Sequence, residues 1–262
     1  MQSNNPVFRS NPNFGGRGRV SAPADLSPAE LEALYSAPAA TAAQTGRMTV
    51  DDVVMRTGII FVVLLAAAVV GWQAQSSLLL FVGMFGGLAL GLVNSFKKQV
   101  SPPLVLTYAA LEGLFLGTLS SVLGAAYPGI VQQAMLGTFA AFAGMLIAYR
   151  SGKLRATPKF TKILMIAGMG YFAVAMVSFI TAMFGVGGGW GFYGAGPLGV
   201  LLAVAGVGLA SLFLVLDFDM IEQGVRRGLP EREAWRAAFG LTVTLIWVYV
   251  EILRLLAILR NQ

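Results

Sequence analysis

Residues 76–98, SSLLLFVGMFGGLALGLVNSFKK, decide the fold. The run from Ser76 to Phe96 carries no charge and then stops at Lys97-Lys98. A helix of roughly 20 residues crosses a bilayer core about 30 Å thick, because only a helix satisfies every backbone group where no water can. Six further stretches share this character, at 57–73, 104–126, 130–149, 163–184, 198–216 and 237–259. With 56% hydrophobic and 11% charged residues, against about 25% charged in a soluble domain, the chain reads as an all-α membrane protein, a bundle of seven transmembrane helices.

The loops between the runs alternate in charge. Those at 97–103, 150–162 and 217–236 hold Lys97, Lys98, Arg150, Lys153, Arg155, Lys159, Lys162, Arg226, Arg227, Arg232 and Arg236. Those at 74–75, 127–129 and 185–197 hold no lysine or arginine. The positive-inside rule then places the N-terminus in the cytoplasm of a bacterial inner membrane. The net charge of +6 therefore orients the protein and meets anionic lipid, with no nucleic-acid role. By parity the C-terminus lies outside, an awkward place for Arg254 and Arg260; a broken or re-entrant last segment would return it to the cytoplasm. Seven full crossings is the expectation.

The chain has no cysteine and no histidine. Thiolate chemistry, disulfides, zinc-peptidase motifs and the ordinary near-neutral switch are excluded. Proton sensing would fall to buried carboxylates, and any bound metal would be hard and oxygen-liganded, with calcium the natural candidate. No Ser/Lys dyad, metal motif or cofactor signature marks an enzyme, and no cofactor is expected.

Residues 1–48 read as a cytoplasmic, disordered tail, with 49–262 the seven-helix domain. The tail lacks an apolar signal region, so the first span is expected to be its own anchor. Within it Asn5-Pro6-Val7-Phe8 is echoed by Asn11-Pro12-Asn13-Phe14, either a duplicated motif for a protein partner or chance similarity. A capping box at 27–30 predicts a short helix near 27–35. Another, Thr49-Val50-Asp51-Asp52, predicts a helix running into the first span. Gly83, Gly87 and Gly91, and likewise Gly113 and Gly117, recur every four residues, spacing that lets helix backbones approach within the monomer. The charge-free 185–196 loop, with Trp190, Phe192 and Tyr193, reads as a flexible lid or interfacial anchor.

Four carboxylates lie within or at the edge of the spans. Glu112 is about 12 Å into span three. An acid at that depth faces a bundle interior or a cavity, either as part of an ion or proton pathway or as a neutral, hydrogen-bonded link between helices. Glu251 lies deep in span seven with Arg254 on its face, either as a local ion pair or as a titrating gate that Arg254 modulates. Asp217 and Asp219 close span six. They point about 200° apart, so one can enter the bundle while the other meets headgroups, unless both are interfacial caps.

The run 216–221 together with Tyr249-Val250-Glu251-Ile252-Leu253-Arg254-Leu255-Leu256 resembles the end of the Bax inhibitor family. Tyr108-Ala109-Ala110-Leu111-Glu112-Gly113-Leu114-Phe115-Leu116-Gly117 resembles that family's third-helix Glu-Gly segment. The likeness covers roughly 50–260 and leaves the tail outside. It implies a central seventh helix ringed by six others, and a pH-controlled calcium leak that uses paired acids on helices six and seven. Asp217 matches the sixth-helix acid and Glu251 the seventh, where Asp is usual.

The resemblance thus makes Asp217 and Glu251 the pH sensor and gate, with transient calcium contacts. Glu112 and Asp219 join the ion pathway. Residues 229–240 look like an insertion lengthening the loop between the paired acids; a surface helix at 231–239 would bring them closer in depth. The expectation is coupled titration of Asp217 and Glu251. The function expected is a pH-sensitive calcium leak channel, and the alternative is a non-conducting adaptor for membrane proteases or stress responses, acting through the tail.

Overall fold

The computed structural model describes residues 46–194 and 196–261. The tail, its expected helix near 27–35 and its repeated Asn-Pro motif lie outside the described residues. Seven long helices are present among those described: α1 (Val50–Ala74), α2 (Ser77–Phe96), α3 (Pro102–Ala126), α4 (Ile130–Arg150), α5 (Pro158–Met183), α6 (Pro197–Arg226) and α7 (Ala234–Arg260). Each is long and apolar enough to cross a membrane.

Their starts follow from local chemistry. Thr49 accepts from the Asp52 N–H at 3.1 Å while Asp52 accepts from the Thr49 N–H at 2.9 Å, completing the expected capping box. α3, α5 and α6 begin on Pro102, Pro158 and Pro197, where the missing N–H costs nothing and φ is preset. The connections are short, so successive helices run antiparallel and the three basic loops share one end of the bundle, here called the basic end.

Glycines set the closest seam. α1 and α3 pack so tightly that a side chain at Gly113 would meet Ala67 at 2.8 Å, and α2 lies as close on α3, where one at Gly83 would meet the backbone at 2.7 Å. In lipid, where burying apolar surface drives nothing, such close backbone approach holds helices together. The glycine spacing therefore serves packing within the monomer, as expected.

α7 packs against α1, α3, α4 and α6. It contributes to all four apolar clusters, with Ala238, Leu253, Leu241 and Ile258 as examples. α5 packs on α6 and the loop before it and reaches α7 through Tyr171, while α2 packs on α3. α3 and α7 are buried to the same extent, 44% of the apolar window in each.

Two expectations about the last third of the chain change. Residues 229–240 form no long loop and no separate surface helix. A short 3-10 turn at Glu231–Glu233 leads directly into α7, so most of this stretch is helix. α7 is also unbroken to Arg260, which donates to the Pro128 carbonyl at 2.7 Å and to Gln133 at 2.9 Å. The C-terminal end thus lies with the uncharged α3–α4 turn, and the re-entrant option falls away.

At the basic end, residues sequence reading passed over tie the elements together. Arg56, buried in α1, donates to the Glu231 carbonyl at 2.7 Å and to its carboxylate at 2.5 Å. The Met48 N–H donates to the Leu229 carbonyl at 2.7 Å, and the Glu231 N–H to Gly46 at 2.9 Å. Arg236 of α7 reaches the Lys98 carbonyl at 2.8 Å.

Candidate functional site

α6 runs past the point where the acids were expected to close it, so Asp217 and Asp219 both stand inside the helix. Leu214, Asp217, Phe218 and Ile221 fall on the face turned to α4 and α7, as a period of about 3.6 residues requires. Asp217 is buried at 7% exposure, and Asp219 is partly exposed on the other side, accepting from the Gln223 amide. The separation of roles expected from their 200° offset is what the helix delivers.

Asp217 faces Gly240 and Thr244 of α7. A side chain at Gly240 would meet its Oδ1 at 3.8 Å, and the Thr244 hydroxyl, 3.3 Å from the Gly240 carbonyl, is also placed to donate to the Asp217 carboxyl. Asp217 Oδ2 is buried without any hydrogen-bond partner among the described residues. Such an oxygen is costly to hide unless something satisfies it.

Glu251 is the opposite case. Its Oε2 accepts from the Tyr171 hydroxyl at 2.8 Å, its Oε1 from the Trp247 indole at 3.1 Å, and Arg254 donates to both oxygens at 3.2 and 3.3 Å. Tyr193 donates in turn to Tyr171 at 2.7 Å, and the Arg254 guanidinium lies 4.3 Å from the centre of the Tyr193 ring. Burial holds the Tyr193 hydroxyl above its ordinary pKa, so it remains a donor. Room for this cluster comes from Gly206 of α6, where a side chain would stand 2.5 Å from Glu251 Oε2.

Tyr193 belongs to the glycine-rich loop, and that loop is no free lid. It forms two short turns, Val186–Gly189 and Gly191–Gly194, that fold down on the bundle. The Phe192 N–H donates to the Ser178 hydroxyl at 3.0 Å. Gly191, at φ +60°, adopts a conformation a side chain would resist, directly against Ser178. The loop is a plug whose tyrosine completes the Glu251 cluster.

Asp217 and Glu251 do not pair. On α6, Gly206 lies beside Glu251 and is about 16 Å along the axis from Asp217. On α7, Gly240 lies beside Asp217 and is likewise about 16 Å from Glu251. The position on α7 that meets Asp217 is occupied by Gly240 and Thr244, neither of which titrates near neutrality. Residues 234–240 are the first turns of α7, and this helix sets the register. Among the described residues no three acidic side chains gather as a metal cluster.

Glu112 stands apart again. Its Oε1 lies where a side chain at Gly87 of α2 would meet it at 2.7 Å, so it belongs to the α2–α3 seam and not to the α6–α7 acids. The residues missed from sequence are Tyr171, Tyr193, Trp247 and Thr244, whose partners lie on other helices or a turn away. Trp247 alone left a signal, four residues before Glu251 and so on its helix face.

At the basic end a cleft of about 1020 Å³ is lined by Phe218 and Asp219, which follow Asp217 on α6, and by Leu241 of α7; Asp217 itself does not line it. Tyr149 donates to Glu222 there, and Glu222 pairs with Arg226.

Compared with known families, the chain matches the sequence model described as Bax inhibitor 1 like over residues 5–261. The chain belongs to the Bax inhibitor family. The match begins at residue 5, so it takes in most of the tail that the motif resemblance had left outside. Comparison with curated proteins finds no match. Family membership agrees with the seven-helix membrane fold.

Proposed function

We propose that this Bax inhibitor family member is a pH-sensitive cation leak of a bacterial inner membrane, with calcium the ion carried. The observation that carries the reading is Asp217, a buried carboxylate with one oxygen unpartnered among the described residues, about 13 Å from the basic end of α6 and next in sequence to Phe218, which lines the cleft. Water, a proton or a cation can satisfy such an oxygen, and the last two compete for it directly. A protonated Asp217 offers no charge to a cation and leaves the inner half closed. A deprotonated Asp217 attracts a cation arriving past Asp219.

The gating device differs from a shared-proton acid pair. The titrating element is Asp217 alone, and the Glu251 cluster acts as an outer seal. Its carboxylate is fully occupied by Arg254, Trp247 and Tyr171, with Tyr193 of the plug loop bound to the last of these. Passage requires the cluster to part, and Arg254 supplies the charge that resists a cation until it does. Calcium is cargo in this scheme and needs no resident site.

Calcium entry into proteoliposomes, followed across a series of acid to neutral pH values, tests the reading. Flux rising as acid is withdrawn, and made pH-insensitive by Asp217→Asn, is expected. No flux at any pH, or an unaltered pH profile in that variant, overturns it.

A further inference from the structure

The cleft at the basic end has a second character that cation passage does not use. It is flanked by α1 and α4, which make no substantial contact with each other, and is backed by α6 and by Leu241 of α7. It therefore opens sideways toward the bilayer as well as toward water. Its wall is apolar, built from Val53, Val54, Phe142, Leu146 and Phe218. Its rim carries Arg150 and Arg155, both exposed.

The charges on that rim are not all committed. Glu222 is engaged by Arg226 and Tyr149, and Asp219 accepts from Gln223. Arg150 and Arg155 enter no ion pair among the described residues. Two free guanidiniums at headgroup level above a lateral apolar slot match one molecule with a negative head and a hydrocarbon tail.

We infer that the cleft binds one anionic phospholipid from the leaflet at the basic end. Its phosphate lies between Arg150 and Arg155, and one acyl chain runs along Val54, Phe142 and Leu146. Guanidinium and phosphate match in a forked, two-bond geometry, which fixes the head. A free phosphate would leave the apolar wall uncovered, and a zwitterionic lipid offers no net charge to the two arginines. The site stands whether or not the protein conducts ions.

The test uses the full chain purified in detergent and native mass spectrometry with added phosphatidylglycerol or phosphatidylcholine. One tightly held phosphatidylglycerol is expected, with phosphatidylcholine much weaker. Arg150→Gln with Arg155→Gln should weaken phosphatidylglycerol about 30-fold, from about fivefold per surface arginine. Leu146→Trp, which fills the slot without changing charge, should weaken it too. Lys97→Gln with Lys98→Gln, two charges lost from another basic loop, should not.

Equal loss in the lysine variant would mean diffuse surface charge and overturn the site. Equal affinity for the two lipids, or competition by glycerol 3-phosphate as strong as by the lipid, would overturn the lipid as occupant. Should the arginine variant fail to fold, the lipid comparison and Leu146→Trp decide alone.

Discussion

Removing Arg254 should cost more stability than removing the acid it serves. Glu251 is 3% exposed at its side chain and Arg254 26% exposed. Arg254→Gln leaves the carboxylate buried with only Tyr171 and Trp247 as neutral donors. Breaking a buried ion pair from one side costs about 3–5 kcal/mol, and the partial exposure of Arg254 argues for the lower figure, about 3 kcal/mol. Glu251→Gln removes the charge itself. The amide oxygen keeps one neutral donor, its NH2 confronts the other, and Arg254 can extend toward the interface; one hydrogen bond lost is about 1.5 kcal/mol.

The double variant has no orphaned charge and should lie near about 2 kcal/mol, well below the roughly 4.5 kcal/mol that additivity gives. Reversible unfolding in mixed detergent micelles, with helicity as the readout, measures all three. An Arg254→Gln variant no less stable than Glu251→Gln would refute the reasoning, because it would mean the buried carboxyl does not depend on Arg254.

Gly83→Ala should destabilise by about 1–3 kcal/mol, since its new methyl meets the backbone of α3 at 2.7 Å and the helices must part; unchanged unfolding would show the seam is looser than described. Glu251→Gln should leave the pH midpoint of calcium flux unmoved, because about 16 Å of helix separates it from Asp217; a shifted midpoint in that variant would restore direct coupling. Cysteines placed singly at Ser76 and Asn261 should label from one side of the membrane, and those at Lys98, Lys153 and Arg227 from the other; labelling of Asn261 with the basic loops would break the seven-crossing topology. Trimming residues 2–45 should leave flux intact, whereas loss of function with flux preserved would favour a tail-dependent adaptor.

The chain by itself determined the elements. Seven apolar runs of bilayer length can only be helices, because lipid offers nothing to a bare backbone, and glycines four apart can only be on one face. The alternating charge of the loops set the expected orientation, and the Asp217–Asp219 offset gave one buried acid and one partly exposed. All of these are local, readable from spacing along one helix.

What the sequence left undecided was register between helices. Motif likeness brought Asp217 and Glu251 together, yet residues 234–240 belong to α7 and not to a loop, and each helical residue carries the chain about 1.5 Å along the axis. That displacement sets Thr244 and Gly240, not Glu251, against Asp217. It also brings Glu251 to Tyr171 and to a tyrosine from a loop more than fifty residues away in sequence. Such partners meet only when the helices pack, since contact across a bundle depends on the relative shift and rotation of whole helices, which no single segment encodes.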